Sequence, residues 1–274
     1  MKLSVVIPAH NEAAALPATV SALAQGLASA NIDYEILIVN DHSNDATESV
    51  LRELQRNCRA LRYVNNPGRG GFGLAVRCGL ENFRGDAVAI YMADASDRPE
   101  DLVRFYNTMI AQDVDCVFGS RFVAGGQVVD YPGVKLVLNR LANQFIRMLF
   151  RLPYNDITNA FKLYRRKVIE GVQPILSHHF NLTVELPLKA IIRGYTYAVV
   201  PNVWIGRKSG ESKLKIQEMG SRYLFIVLYC LLEKWLSKGD YHSRSVSPPR
   251  PASAPRIVSK PAEGADKARR ATPL

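Results

Sequence analysis

Three short apolar runs early in the chain each end in a burst of polar side chains. These are Pro8, His10, Asn11 and Glu12, then Asn40, Asp41, His42, Ser43, Asn44 and Asp45, then Asp94, Ser96 and Asp97. Asp41, just after such a run, can accept hydrogen bonds from a nucleobase or ribose. Asp94 and Asp97, with Ser96 between them, offer hard oxygen ligands that suit Mg²⁺ or Mn²⁺ on a diphosphate. The competing reading is that these aspartates cap turns and helices, and it is strongest for Asp45. A further segment, Gly68 to Gly73, is glycine-rich and carries Arg69. At the start of a helix its main-chain N–H groups and a cation can meet a phosphate or a base, and a plain connector has the same composition.

Side chains such as these work only if the fold converges them. The first half alternates β-branched runs with helical patterns, as expected of parallel strands joined by crossover helices. Strands are expected at Leu3 to Ile7, Tyr34 to Val39, Leu61 to Val64, Ala87 to Tyr91 and Cys116 to Gly119. Helices are expected from Pro17 to about Ala28, from a cap at Asp45 with Glu48 three residues on, from Gly71 to Asn82 and from Pro99 to Gln112. Runs as apolar as E-I-L-I-V are covered on both faces, which gives an α/β fold with a mainly parallel central sheet flanked by helices on both faces. In such sheets ligands bind beyond the carboxyl ends of the strands, where the polar bursts fall. After Gly119 the pattern becomes a loop, a basic amphipathic helix from about Val134 to Phe150, a mixed segment, a helix from Thr183 to Gly194 and a strand from Tyr197 to Trp204.

The first run is not followed by G-x-G-x-x-G, and no G-x-x-x-x-G-K-[ST] loop occurs, which argues against hydride transfer and ATP hydrolysis. With 274 residues, 47% of them hydrophobic, the chain can bury one large core. A net charge of +10 suits a surface that meets anions. No nucleic-acid reader motif accompanies that charge, and much of it lies in the tail, so nucleic acid is not expected as a partner. Cys58, Cys78, Cys116 and Cys230 show neither metal nor disulfide spacing and read as free thiols. Leu3 to Ile7 is too short for a signal-peptide core. Met219 to Leu236 is apolar, aromatic and flanked by cations, too short to span a bilayer yet suited to lying on one or to packing as a core helix. From Asp240 onward the composition predicts a disordered basic tail.

The motifs V-V-I-P-A-H-N-E, I-V-N-D-H-S-N-D-A-T, Y-M-A-D-A-S-D-R-P, G-S-R-F and R-K-S-G-E-S-K-L, in that order, resemble the family 2 glycosyltransferases of GT-A fold. More narrowly they are similar to the polyprenyl-phosphate glycosyltransferases, among them the dolichol-phosphate mannose synthases. The resemblance covers Met1 to about Leu236. It implies an inverting, metal-dependent hexosyltransferase acting on a nucleotide-sugar donor and a polyprenyl phosphate acceptor at the cytoplasmic face of a membrane. Pro8, His10, Glu12 and Asp41 would hold the nucleoside, Asp94 the metal, Arg121 the acceptor phosphate, and Arg207 and Lys213 the donor phosphates. Two departures stand out. Met92 occupies the place of a frequent first carboxylate in D-A-D, and His10 that of a frequent Tyr.

A phosphate acceptor also makes chemical sense. A sugar hydroxyl needs a general base, whereas a phosphate monoester is already anionic and needs cations to hold it. The second half supplies Arg121, Lys135, Arg140, Arg147, Arg207, Lys208 and Lys213. The alternatives are a transferase with a hydroxyl acceptor, for which Asp156 or Glu185 would have to be the base, and a non-catalytic nucleotide-sugar-binding protein. The expected layout is a catalytic domain over residues 1–215, an interfacial helix over 216–239 and the tail over 240–274.

Overall fold

The computed structural model describes residues 1–206 and 216–243. The chain runs β1 (Leu3–Ala9), α1 (Leu16–Ser29), β2 (Tyr34–Asn40), α2 (Thr47–Asn57), β3 (Leu61–Asn65), α3 (Phe72–Asn82), β4 (Ala87–Ile90), α4 (Pro99–Gln112) and β5 (Cys116–Ser120). It continues with β6 (Gln127–Val129), α5 (Gly133–Phe150), β7 (Lys162–Arg165), α6 (Arg166–Gly171), α7 (Leu182–Ile192), β8 (Tyr197–Pro201), β9 (Val203–Ile205) and α8 (Ile216–Leu236).

Seven strands form one sheet in the order β3-β2-β1-β4-β7-β5-β8. All neighbours are parallel except β7, which runs antiparallel to both β4 and β5. Alternation along each strand divides the core between two faces. Val5, Ile7, Ile36, Ile38 and Ala89 pack beneath α1, α2 and α4. Val6, Leu37, Val39, Val88 and Ile90 join α3, α5, α7 and α8 on the other side. At Gly79 of α3, a Cβ would stand 2.3 Å from Val6 Cγ1, so only glycine lets this helix sit down on β1.

Most expected elements are present, with four corrections. First, Asp45 and Glu48 do not form a capping box. Helix α2 begins at Thr47, whose N–H and hydroxyl both donate to Asp45 Oδ1, while Glu48 turns outward to Arg52. Second, the strand expected from Tyr197 to Trp204 is two strands in different sheets. Buried Asn202 separates them, donating its N–H to Ser120 O and accepting that of Gln127. Third, β7 (Lys-Leu-Tyr-Arg) lies inside the mixed segment, where four residues that begin with a lysine and end on an arginine carry no clear strand periodicity. Fourth, β6 is a short exposed strand that pairs with β9.

Helix α8 has two characters. Ile226, Val227, Cys230 and Leu231 are buried, whereas Leu224, Phe225, Leu228, Leu232, Trp235 and Leu236 are exposed. Glu233 on the inner side takes both arms of the buried Arg193 guanidinium at 2.7 and 3.0 Å, which fixes α8 against α7. Among the described residues no helix is long and apolar enough to cross a membrane. The tail beyond Ser243 lies outside the described residues.

Candidate active site

Parallel pairing brings the strand ends level, since Ala9 lies opposite Asn40 in register. The loops after β1 and β2 are therefore laced together. Asn11 N–H donates to Ser43 Oγ at 3.0 Å, Asn44 N–H to Asn11 Oδ1 at 2.8 Å and Glu12 N–H to Thr47 Oγ1 at 3.0 Å. His10 Nδ1 lies 2.6 Å from the Asp41 carbonyl, so the ring is fixed in the crevice wall. Pro8, His10 and Glu12 are half-buried along this wall.

Asp41 is buried and organises the third loop. Its Oδ1 accepts from Asn66 Nδ2 and its Oδ2 from Gly71 N–H, each at 2.8 Å. Asn66 also donates to the Arg69 carbonyl at 3.0 Å and accepts Gly68 N–H at 3.1 Å. The turn that carries Arg69 is thus tied to Asp41, with the arginine side chain exposed at its rim. Backbone crowding fixes the other end of the turn. A Cβ at Gly73 would stand 2.6 to 2.7 Å from main-chain atoms of His178 and His179. Asn66 escaped the sequence reading; its position directly before Pro67-Gly68 is the available signal, since Asn in such a turn readily bonds neighbouring backbone. A surface cleft of about 440 Å³ flanks this turn and is lined by Asn66, Arg69, Arg77 and Glu81, but it holds none of the residues that follow β1 or β4.

After β4 the chain turns sharply through Ala95, whose φ of 58° is left-handed. Half-buried Asp94 accepts Ser96 N–H at 3.1 Å. Asp97 is buried beneath the turn, with Oδ2 3.4 Å from Met92 N. Burial, and then the like charge of Asp94, push the Asp97 carboxyl up to about 8. Ser96 Oγ is buried without a hydrogen-bond partner. A like-charged carboxylate pair beside an unsatisfied hydroxyl is a donor set that a divalent cation would satisfy, so these residues fit Mg²⁺ or Mn²⁺. Among the described residues no cluster of three or more His, Cys, Asp or Glu side chains is arranged for a metal, which leaves a site here reliant on hydroxyl and ligand oxygens besides Asp94 and Asp97.

Arg121, just beyond β5, does not stand alone. Its Nε and Nη2 donate to Asp156 at 2.8 and 2.7 Å, its own N–H adds a third bond at 2.9 Å, and both side chains are buried. Burial alone would lower the guanidinium pKa, yet the Asp156 carboxylate outweighs it and the shift is upward. Phe122 carries Arg121 and Arg140 over its ring at 5.2 and 4.5 Å. A dense polar net holds the segment around Asp156. Tyr154 and Asn159 both donate to the Gly119 carbonyl, and Asn139 and Asn143 of α5 both donate to Thr158 Oγ1. Lys162 is fully buried, and its ammonium donates to the carbonyls of Ile157, Asn159 and Thr183. Burial pulls it down to about 7, with Asp156 opposing and Arg121 adding to the shift.

The two candidate bases are therefore occupied. Asp156 holds Arg121, and Glu185 is buried, paired with Lys189 at 2.7 Å and accepting the N–H groups of Leu176 and Ser177. Lys135 is half-buried, and Arg140 and Arg147 are exposed. Arg207, Lys208 and Lys213 lie outside the described residues.

A mainly parallel sheet whose carboxyl ends gather Asp41, Asp94 and an anchored arginine turn has the architecture of a GT-A nucleotide-sugar transferase. Residues 4–172 match the family described as Glycosyl transferase family 2, and the chain belongs to that family. It is 32% identical to the polyprenol monophosphomannose synthase of Mycolicibacterium smegmatis, over 77% of this chain and 80% of that protein. It is 27% identical to the undecaprenyl-phosphate mannosyltransferase of Micrococcus luteus, over 86% and 96%. Glucosyl-3-phosphoglycerate synthase from Mycobacterium tuberculosis, solved with Mn²⁺, UDP and glucosyl-3-phosphoglycerate, shares the fold with a TM-score of 0.63 at 17% identity, over 85% of this chain and 79% of that one.

Proposed function

We propose that this glycosyltransferase moves a hexose from a nucleotide-sugar to a polyprenyl phosphate at a membrane surface, with inversion at the anomeric carbon. The observation that carries this reading is the commitment of Asp156 and Glu185 to buried ion pairs. A hydroxyl acceptor would need one of them as a base. A phosphate brings its own anionic oxygen and needs only cations, which Arg121 and its surroundings offer. The names of the two relatives above support the same acceptor class and favour mannose as the hexose.

In this reading the loops after β1 and β2 hold the nucleoside through Pro8, His10, Glu12 and Asp41, and Arg69 faces the donor. Asp94, with Ser96 and Asp97, would hold Mg²⁺ or Mn²⁺, which supplies charge neutralisation for the departing diphosphate. Arg207 and Lys213 would contact the donor phosphates. Arg121, oriented by Asp156, meets the acceptor phosphate. One displacement by the acceptor oxygen needs no protein nucleophile, so configuration inverts. A cytoplasmic-face location, with α8 resting on the membrane and a basic tail beyond it, completes the proposal.

The test is a transfer assay with labelled nucleotide-sugars, Mn²⁺, and either a polyprenyl phosphate or a soluble glycan as acceptor, with product NMR. Transfer to the lipid phosphate with inverted configuration is expected. Turnover on the glycan alone, or a product of retained configuration, overturns the proposal.

A further inference from the structure

Helix α7 is buried through most of its length and carries a proline, Pro187, in its interior. Proline has no N–H, so the carbonyl four residues earlier, that of Thr183, loses its helical donor. In a buried helix a carbonyl left in that condition is costly. A side chain from another element takes the missing place. Lys162 Nζ donates to the Thr183 carbonyl at 3.1 Å.

Lys162 reaches this carbonyl from the middle of the sheet. It opens β7, opposite Ile90 of β4 and Phe118 of β5, and by alternation it shares a face with Tyr164, which belongs to the core that includes α7. It is 1% exposed. An ammonium has three N–H groups, and the other two go to the carbonyls of Ile157, at 3.0 Å, and Asn159. Every donor is therefore used, and the partners lie on two segments, the first turn of α7 and the loop that follows Asp156.

That loop is the one that orients Arg121. Asp156 stands directly before Ile157 and holds the guanidinium through both oxygens, at 2.8 and 2.7 Å. Asn159 in turn donates at 3.0 Å to the carbonyl of Gly119, two residues before Arg121. The buried group sets two cations against one carboxylate, a balance that favours an anion at its edge. Lys162 is itself too deeply buried to meet that anion, so it can act only through its neighbours. We infer that Lys162 is a positioning residue of the acceptor site, a clamp that joins the Asp156 loop to the carbonyl freed by Pro187 and thereby sets the direction of Arg121. This rests on the acceptor reading above and adds to it that an interior proline of α7 governs acceptor affinity.

Two substitutions in the full chain separate this role from a general contribution to folding. Lys162→Met leaves three carbonyls without their donor, so a lower melting temperature is expected whatever else the residue does. Pro187→Ala is the sharper variant. It restores an N–H that competes with Lys162 for the Thr183 carbonyl and removes a proline from a helix interior, so its melting temperature should stay near wild type. Acceptor KM, measured with a short polyprenyl phosphate dispersed in detergent, should nevertheless rise about fivefold, while donor KM and kcat stay within about twofold. Hydrogen exchange of the 156–161 segment, where Asn159 and Phe161 N–H groups are bonded within the loop, should be faster than in wild type. Lys162→Met, where folded, should raise acceptor KM by at least about tenfold with donor KM little changed. An acceptor KM or a loop exchange rate that matches wild type in Pro187→Ala overturns the inference. Equal rises in donor and acceptor KM, the mark of a general loosening, overturn it as well. If wild type transfers to no polyprenyl phosphate while loop exchange still quickens in Pro187→Ala, the acceptor reading falls and the clamp on Arg121 stands.

Discussion

In the function proposed above, the donor side and the acceptor side of the crevice use carboxylates in opposite ways. On the donor side Asp41 and Asp94 accept N–H groups of their own or neighbouring turns. At Asp41 neutral donors position the carboxylate and leave its charge to act on a ligand. On the acceptor side Asp156 is buried against a guanidinium that takes both its oxygens. Its charge is consumed in orienting Arg121. The donor site is thus assembled from the ends of regular strands, and the acceptor site from an irregular segment held by a polar net.

The largest expected effect follows from the donor side. Asp94→Ala should lower turnover by about 10⁴-fold, roughly 5 kcal/mol of transition-state stabilisation, because it removes the foremost oxygen ligand of the proposed metal site. Its melting temperature should stay near wild type, since a half-buried carboxylate at a strand end is not part of the core. Single-turnover assays and calorimetry check the pair of outcomes, and near-normal turnover would remove Asp94 from the mechanism.

The acceptor side should behave inversely. Asp156→Ala strands a buried guanidinium and should cost about 3–4 kcal/mol of stability. Replacing both partners, as in Arg121→Met with Asp156→Leu, should return most of that stability without restoring transfer. Urea unfolding of the double-mutant cycle measures this. If Asp156→Asn were fully stable yet inactive, Asp156 would be a base and the contrast between the two sides would dissolve.

A third outcome sharpens the contrast through pH. Asp97 is held up to about 8, far above its value in the unfolded chain, so the folded protein binds the extra proton between the two. Stability from this group is complete below about pH 4 and is lost as pH rises through about 8. Asp97→Asn should flatten that decline in melting temperature, and Mn²⁺ should reduce it in the wild type by neutralising the pair. A slope shared equally by wild type and variant would assign the decline to other groups.

How much of this was legible from residue order follows the same division. Strand ends that carry His10, Asp41 and Asp94 could be read because parallel strands are continuous apolar runs and their exits are abrupt. The four residues of β7 were not legible, because Lys162 is both a strand residue and a buried cation, and no local pattern marks a lysine that the carbonyls of Ile157, Asn159 and Thr183 will satisfy. Asn202 was hidden likewise inside what read as one strand. Arg121 was visible as a cation, but its pairing with Asp156, 35 residues away, is a tertiary fact.

The smallest expected effect returns to the donor side, at the residue the sequence reading missed. Asn66 makes two contacts with the Arg69 turn and one with Asp41, all through a side-chain amide whose partners are otherwise main chain or carboxylate. Asn66→Ala leaves Asp41 with Gly71 N–H as its remaining donor in this group and frees the turn to sample other conformations. The folded core is untouched, so stability should fall only slightly. Donor affinity should weaken by about fivefold, roughly 1 kcal/mol, which is the usual worth of such a bond when solvent can partly replace it. Asn66→Asp should be worse than Asn66→Ala, because a second carboxylate would face Asp41 in place of an N–H donor. Titration calorimetry with the nucleotide alone separates these cases from effects on chemistry. If the alanine variant binds donor nucleotide as tightly as wild type, the turn is held by Gly71 and the backbone crowding at Gly73, and Asn66 is a bystander.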